Sequence, residues 1–570
     1  MNKRILALSL VFILLLTAAA GCAGNKGAQS NGASTAAPAT SAATTKAAAA
    51  AEKAETTKAA DAVKDEKAAD SDGGYVFSTP FVTSPVTVNW ALYENPDTSH
   101  PYADHLPCFQ IVEEITGVHI AVEAAVVADY DNAMKTRLAA GIDLPDVITI
   151  PGGATDQTKY VNAGLFIKLD DLIAKFAPHL SAWYAERPDL RGYLVSPDGF
   201  IYSIATSVEA RSMLNYTNPG LRYDWLEKLG KDVPSTIDDL HDILTAFKNG
   251  DPNGNGEADE IPVIGKYDTV CYSLGWSYGL HLTQSKGWYY DDNDKVVYDW
   301  ITDGAREWAA EMAKWYSEGL FDPDFTSPQA DKYNAQALGD IAGMAQQMSM
   351  MYPQWTNRMA EEYPQAKWKA MMPVKAEGHK PFIEREFPYS NYYAITKDCK
   401  DPELNIKLID WMMASKDGEL LLNFGREGIE YTMVNGEPIF TDNVMKYERG
   451  PGLALQMLGI NGSTPLILHK RSVEQRFLIY PDECAMSELS ETFKIPCMPK
   501  IIATGEEAET LSRVLADINT YCEESVVKFI TGATPLSEWD SFVAAIEGMG
   551  ISEAIAIKQK QLDRFNASMR

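Results

Sequence analysis

The sequence predicts an α/β protein, and three observations carry that prediction. Residues 86–92 (Val86-Thr87-Val88-Asn89-Trp90-Ala91-Leu92) open with strand-like alternation, 117–122 read as a second strand, and 146–150 as a short buried third. Between them, 109–116 and 132–140 carry helical patterns. Strand, helix, strand, helix, strand at this spacing calls for a mostly parallel sheet covered by helices. Finally, the body from about residue 73 to 570 is too large for one simple core and should divide into two lobes.

Farther along, the helical segments lengthen. One starts at 235–240, where Ser235 or Thr236 can cap it and acids fill the first turn. Others span 303–319, 402–413 and 506–529. Trp308, Met312 and Trp315 recur at helical spacing, which marks a core stripe. The charged stretch 384–387 is irregular and ends at Pro388. After it, 389–396 reads as a strand that could cross between lobes.

The amino terminus has its own grammar. Lys3 and Arg4 precede an apolar run from Ile5 to Ala20, too short for a spanning helix, so residues 1–21 read as a signal peptide. Leu16-Thr17-Ala18-Ala19-Ala20-Gly21-Cys22 resembles the lipobox of bacterial lipoproteins, which implies a diacylated Cys22 and stable membrane attachment. An ordinary secretory signal that happens to contain a cysteine is the alternative. Residues 22–74, rich in Ala, Thr and Lys, have too little apolar surface to offset ordering entropy and read as a disordered tether. A spacer of this kind suits a Gram-positive envelope. No other apolar run is long enough to cross a bilayer.

The formal net charge of -29 argues against a nucleic-acid partner, since phosphates would be repelled. Apart from Cys22, the cysteines are Cys108, Cys271, Cys399, Cys484, Cys497 and Cys522, none in a C-x-x-C pair. Zinc ribbons and thioredoxin-type motifs are therefore unsupported, and mostly buried free thiols are expected.

Several segments, in order, are similar to the family 1 extracellular solute-binding proteins in their large lipoprotein branch. They are Ala139 to Val147 (with Leu144-Pro145-Asp146), Gly164 to Asp171, Tyr223-Asp224-Trp225-Leu226-Glu227-Lys228-Leu229-Gly230 with Val233-Pro234-Ser235-Thr236, and Trp315 to Pro323. Asn423 to Gly428, Phe529 to Gly532 and Trp539-Asp540 complete the series. The resemblance implies a two-lobed periplasmic-binding-protein-like fold with hinge strands and a ligand cleft between lobes. It assigns 75–205 with roughly 390–465 to the first lobe and 206–389 with roughly 466–570 to the second. It further implies hinge closure around an oligosaccharide, recognition of the closed form by ABC permease subunits, and a monomer that performs no chemistry.

Asp251-Pro252-Asn253-Gly254-Asn255-Gly256-Glu257-Ala258-Asp259-Glu260 matches the start of an EF-hand loop, with oxygen-bearing side chains at the first, third and fifth positions and glycine at the sixth. The twelfth position is Pro262, so Asp259 and Glu260 would close the shell and Glu257 would offer its carbonyl. The reading is a structural calcium in the second lobe; a metal-free Asn-Gly turn is the alternative.

A sugar site needs aromatic platforms beside hydroxyl-bonding groups. Candidates are Trp90, Tyr93 and Glu94 at the end of the first strand, then Glu209, Arg211, Tyr216 and Arg222. Trp276 and Trp288 follow, with Gln284 between them; Tyr352 and Trp355 come next, and Tyr392 and Tyr393 adjoin Asn391. Trp355, Trp276 and Tyr393 are preferred, because irregular polar sequence surrounds each. The acidic balance disfavours a strongly anionic polymer, although a local arginine cluster could override it. A secreted glycan-active hydrolase with paired carboxylates and a ligand-sensing or peptide-capturing lipoprotein stay open; G-x-S-x-G, H-E-x-x-H and phosphate-loop motifs are missing and the eight histidines are scattered. If Cys22 carries the lipid, labelled fatty acid should mark the wild-type protein and miss Cys22→Ala, and equal labelling of both would refute the anchor.

Overall fold

Ten strands organise the fold: β1 (Val86–Tyr93), β2 (Val118–Ala125), β3 (Val147–Thr149), β4 (Ile204–Val208), β5 (Thr217–Arg222), β6 (Ile261–Val263), β7 (Ala342–Met348), β8 (Trp368–Ala370), β9 (Tyr389–Ile395) and β10 (Ile467–Leu468). The structure, a computed structural model, describes residues 79–96, 99–208, 217–327, 330–349, 351–384, 387–478 and 480–569. The signal peptide, Cys22 and the tether of 22–74 lie outside the described residues, as do Glu209, Arg211 and Tyr216. The rest belongs to one compact unit, Ala69–Arg570.

Among the described residues, the strands form a 6-stranded sheet in the order β10-β4-β9-β3-β1-β2 and a 4-stranded sheet in the order β8-β5-β7-β6. β1 pairs parallel to β2 and β3, with Val86 facing Val118 and Trp90 facing both Val122 and Val147. The covering helices Pro107–Thr116 and Val127–Ala140 end on Gly117 and Gly141, both left-handed, where a side chain would be strained. The expected strand at 389–396 is β9, but it does not bridge the lobes. It lies within the first sheet, antiparallel to β3 and β4, and the chain has already crossed before it.

Each sheet has its own hydrophobic core. The first draws on residues between Val88 and Ala205 and between Tyr389 and Ile502, and the second on residues between Leu221 and Ala376 and between Met498 and Leu562. The helix Ile237–Asn249 is fastened at its start by reciprocal bonds: Asp239 N–H donates to Thr236 Oγ1 (3.1 Å) and Thr236 N–H to Asp239 Oδ2 (3.0 Å). Hydrogen bonds onto its carboxylate, first the Ser235 N–H (3.1 Å), then the Ser235 hydroxyl and Thr236, hold the Asp239 carboxyl down at about 2. Trp308, Met312 and Trp315 are fully buried on the helix Asp303–Ser317, as their spacing predicts. Cys108, Cys271, Cys399 and Cys522 are free thiols, and burial pushes those of Cys108, Cys399 and Cys522 up to about 12. No helix among the described residues is long and apolar enough to cross a membrane.

A third, smaller core corrects one expectation. Trp355 is 1% exposed on the helix Met351–Met359 and packs edge-on against Tyr352 (5.7 Å) and Trp368 (5.4 Å). Tyr352 is fully buried, donates to the Asn218 carbonyl (2.6 Å) and lies so close over β5 that a Cβ on Gly220 would run into its ring. Trp276 joins the same cluster with its Nε1–H on Thr283 Oγ1 (3.1 Å). These rings are wedges between sheet and helices, not platforms on an open wall. Trp355→Ala should therefore lower unfolding free energy by about 3–5 kcal/mol in a denaturant titration; an unchanged midpoint would return the ring to the surface.

Candidate ligand-binding cleft

A cavity of about 640 Å³ opens at the carboxyl ends of the parallel strands of the first sheet, the edge where open α/β sheets place ligands. Pro96 follows β1, Thr206 lies in β4, Leu468 ends β10, and Tyr389, Ser390 and Asn391 begin β9, which runs the opposite way. The segment 452–468 forms one wall through Gln456, Asn461 and Ser463. Gln284 contributes from the side of the second sheet, with Phe387 where the chain crosses and Arg476 on the helix Lys470–Phe477.

Amide side chains hold this wall in place. Asn391 Nδ2 donates to the Gly462 carbonyl (2.6 Å), Asn461 Nδ2 donates to Asn95 Oδ1 (3.1 Å), and Tyr102 Oη donates to Asn461 Oδ1 (2.9 Å). Asn95 Nδ2 also donates to the carbonyls of His100 and Gln456. Across the cleft, Glu384 is 3% exposed. It accepts from the backbone N–H groups of Thr283, Gln284 and Ser285 and from Thr283 Oγ1, at 2.5 to 3.1 Å. That carboxylate, expected in an irregular stretch, instead sits in a two-residue strand and pins the loop that presents Gln284.

Several sequence candidates do not reach this cavity. Trp90 is fully buried and donates to Asn405 Oδ1 (2.8 Å). Tyr93 donates to Asp131 Oδ1 (3.0 Å), and Glu94 Oε1 accepts from the N–H groups of Asn95 and Tyr102, so it shapes the loop beside the site. Arg222, also fully buried, forks onto Asp224, touches Asp340 and lies over the Trp225 ring. Trp288 packs on Tyr298 at 4.6 Å in the second core, while Tyr392 and Tyr393 are buried in the first. Tyr393 Oη meets Thr206 Oγ1 at 3.1 Å, so it supports a lining residue from behind. A polar-looking sequence neighbourhood misled here, because exposure depends on what arrives from distant segments. Gln284 and Asn391 were legible as cluster neighbours; the 452–468 wall and Arg476 carried no recognisable signal. The scattered histidines also converge once: His105 Nε2 and His119 Nδ1 lie 3.0 and 2.7 Å from the same Glu113 oxygen, and their bonds lower that carboxyl.

The 251–260 loop lies in the second-sheet region, preceding β6. Its alternate side chains turn inward: Asp251 accepts from the N–H groups of Gly254 and Gly256, Asn253 Oδ1 from Asn255, and Asn255 Oδ1 from Glu257. Gly254 and Gly256 take φ of 79° and 80° at the bend. The Asp259 carboxylate faces the amides of Asn253 and Asn255. Glu260 Oε1 is buried with no partner, and burial together with the charges of Asp259 and Asp251 raises its carboxyl. Three acids and an orphaned carboxylate oxygen fit a hard divalent cation, which would answer both defects.

Residues 110–419 match the family profile described as bacterial extracellular solute-binding protein. The chain is 26% identical over 501 residues, 80% of its own length and 87% of the relative's, to the fructooligosaccharide ABC transporter substrate-binding protein FusA of Streptococcus pneumoniae serotype 4. Its structure is similar to that of alginate-binding protein AlgQ2 without calcium ion, with a TM-score of 0.69, 23% identity, and 85% of this chain and 100% of that one covered. FusA of S. pneumoniae in complex with kestose also scores 0.69 at 23% identity, covering 84% of this chain and 99% of that one. The fold is the two-lobed one these proteins share. With two sheets, a core for each and a cleft at a sheet's carboxyl edge, the chain belongs to the bacterial extracellular solute-binding proteins.

Proposed function

We propose that the protein is the capture subunit of an ABC importer, lipid-anchored outside the cell, and that it holds an oligosaccharide without cleaving it. The observation that carries this reading is the character of the cavity. Its volume of about 640 Å³ falls in the range of roughly 300–1,000 Å³ usual for small-molecule sites. Its lining combines amides and hydroxyls (Gln284, Ser390, Asn391, Gln456, Asn461, Ser463) with apolar Phe387, Ile460, Leu466 and Leu468. Sugars offer the same pairing of apolar ring faces and a hydroxyl rim. Hydrolysis by paired carboxylates needs two acids beside the scissile bond, and the described lining residues include none. The family membership and the name of the fructooligosaccharide-binding relative support the same reading.

Binding should raise the melting temperature of the folded state, and the ligand should be recovered intact by mass spectrometry after prolonged incubation. Recovery of shortened sugars would identify a hydrolase, and a flat response across a broad oligosaccharide panel would reject the ligand class.

The 251–260 loop, in this reading, holds a structural calcium through Asp251, Asn253, Asn255, Asp259 and Glu260 with the Glu257 carbonyl. The ion supplies the counter-charge that the three acids lack. At calcium near a hundredfold above its dissociation constant it would add about 2.7 kcal/mol of stability. Chelation should lower the wild-type melting temperature accordingly, and Asp251→Ala should be less stable in calcium and indifferent to chelator. A wild-type melting curve that ignores chelation would refute the site.

A further inference from the structure

The unabsorbed feature of the cleft is Arg476. Its Nη2 donates to Ser472 Oγ (2.9 Å), one turn earlier on the same helix. Its Nε–H is shut off from solvent with no acceptor in reach. Other arginines of this acidic chain find carboxylates readily: Arg222 lies on Asp224 and Asp340, Arg426 on Glu430, Arg564 on Glu507. Arg476 pairs with no acid among the described residues, and it is the one charged side chain among those lining the cavity. Two of the described acids near the cleft are turned away. Glu384 is consumed by the 283–285 backbone and one oxygen of Glu94 by the 95–102 loop.

A guanidinium drawn out of water without a counter-ion is costly, and the cost persists in the folded chain unless a ligand removes it. Burial alone, with no acid to oppose it, lowers the Arg476 guanidinium to about 10. It stays charged at neutral pH, carries a planar guanidinium of the kind that matches a carboxylate, and lines a cavity whose other described lining residues are neutral.

We propose that the saccharide taken by this cleft carries a carboxylate, as a uronate residue does, and that Arg476 is the side chain that selects it. The inference rests on the oligosaccharide reading and narrows it to an acidic sugar. The net charge of -29 does not stand against it. Exposed acids are screened beyond about 8 Å at physiological ionic strength, whereas a direct contact acts near 3 Å.

The test is calorimetric titration of the purified protein with uronate oligomers of several kinds and with the same oligomers after reduction of their carboxyl groups to neutral alcohols. At least one acidic oligomer should bind ten- to a hundredfold more tightly than its reduced counterpart. Arg476→Gln should lose that difference. Arg476→Lys, which keeps the charge but not the fork, should fall between. Unliganded Arg476→Gln should melt at or above the wild-type temperature, because an uncompensated charge has gone; a clear loss of stability would mark Arg476 as structural and overturn the proposal. Equal or tighter binding of neutral oligosaccharides, or an Arg476→Gln variant with undiminished affinity for the acid, would also overturn it while leaving oligosaccharide capture intact. Failure of every saccharide, acidic and neutral, would reject both.

Discussion

The separation of the apolar core into two bodies governs the rest of the molecule. The residues that pack around β1, β3 and β9 and those that pack around β5 and β7 form distinct clusters, and each cluster draws on stretches of chain hundreds of residues apart. A core of this size saves little by growing further, whereas two cores of ordinary domain size each bury their own helices. The chain must then pass between them repeatedly. It does so between β4 and β5, between β8 and β9, and again after β10. The cleft is a consequence of that division.

The polar groups near the cleft divide into those that build it and those left over. Asn95, Asn461 and Asn391 spend their amides on carbonyls and on one another, which holds the 456–463 wall without help from a ligand. Glu384 offers its two oxygens to four donors, and leaving those donors unmet would cost on the order of 1–3 kcal/mol each. Among the described residues, Glu384 and Glu94 are thus both committed to positioning loops. In a chain with 79 acidic residues, the described lining of the cavity carries one charged side chain, and it is basic. Net charge describes the field at a distance; the partners of single side chains describe the site.

The aromatic residues show where reading a sequence succeeds and where it fails. Trp308, Met312 and Trp315 share a helical stripe, a covalent periodicity that survives into the fold, and all three are buried. Trp276 and Trp355 sit among polar neighbours in the chain and look like exposed platforms, yet both are sealed by rings and strands from elsewhere: Trp368 and Tyr352 against Trp355, Phe382 and Ile383 in the same cluster. Arg222 resembled a hydroxyl-binding group until Asp340, 118 residues away, closed on it. Burial is a through-space property, and local composition reports it only when the element itself is amphipathic.

The sequence by itself determined the class and the family. The strands at 86–93, 118–125 and 147–149 with their helices are local patterns, and the ordered segments from Ala139 to Trp539 identify relatives, because hydrophobic period and turn chemistry act over a few residues. It also determined the inward-facing geometry of the 251–260 loop, whose inward-turned oxygens come from one short stretch. Only the tertiary structure decided which side chains face the cleft. Its walls are drawn from around Pro96, Thr206, Gln284, Tyr389, Asn461 and Arg476, brought together by the packing of two cores. Whether a guanidinium there finds a carboxylate or is left without one is settled by which distant groups the fold has already committed to its own backbone.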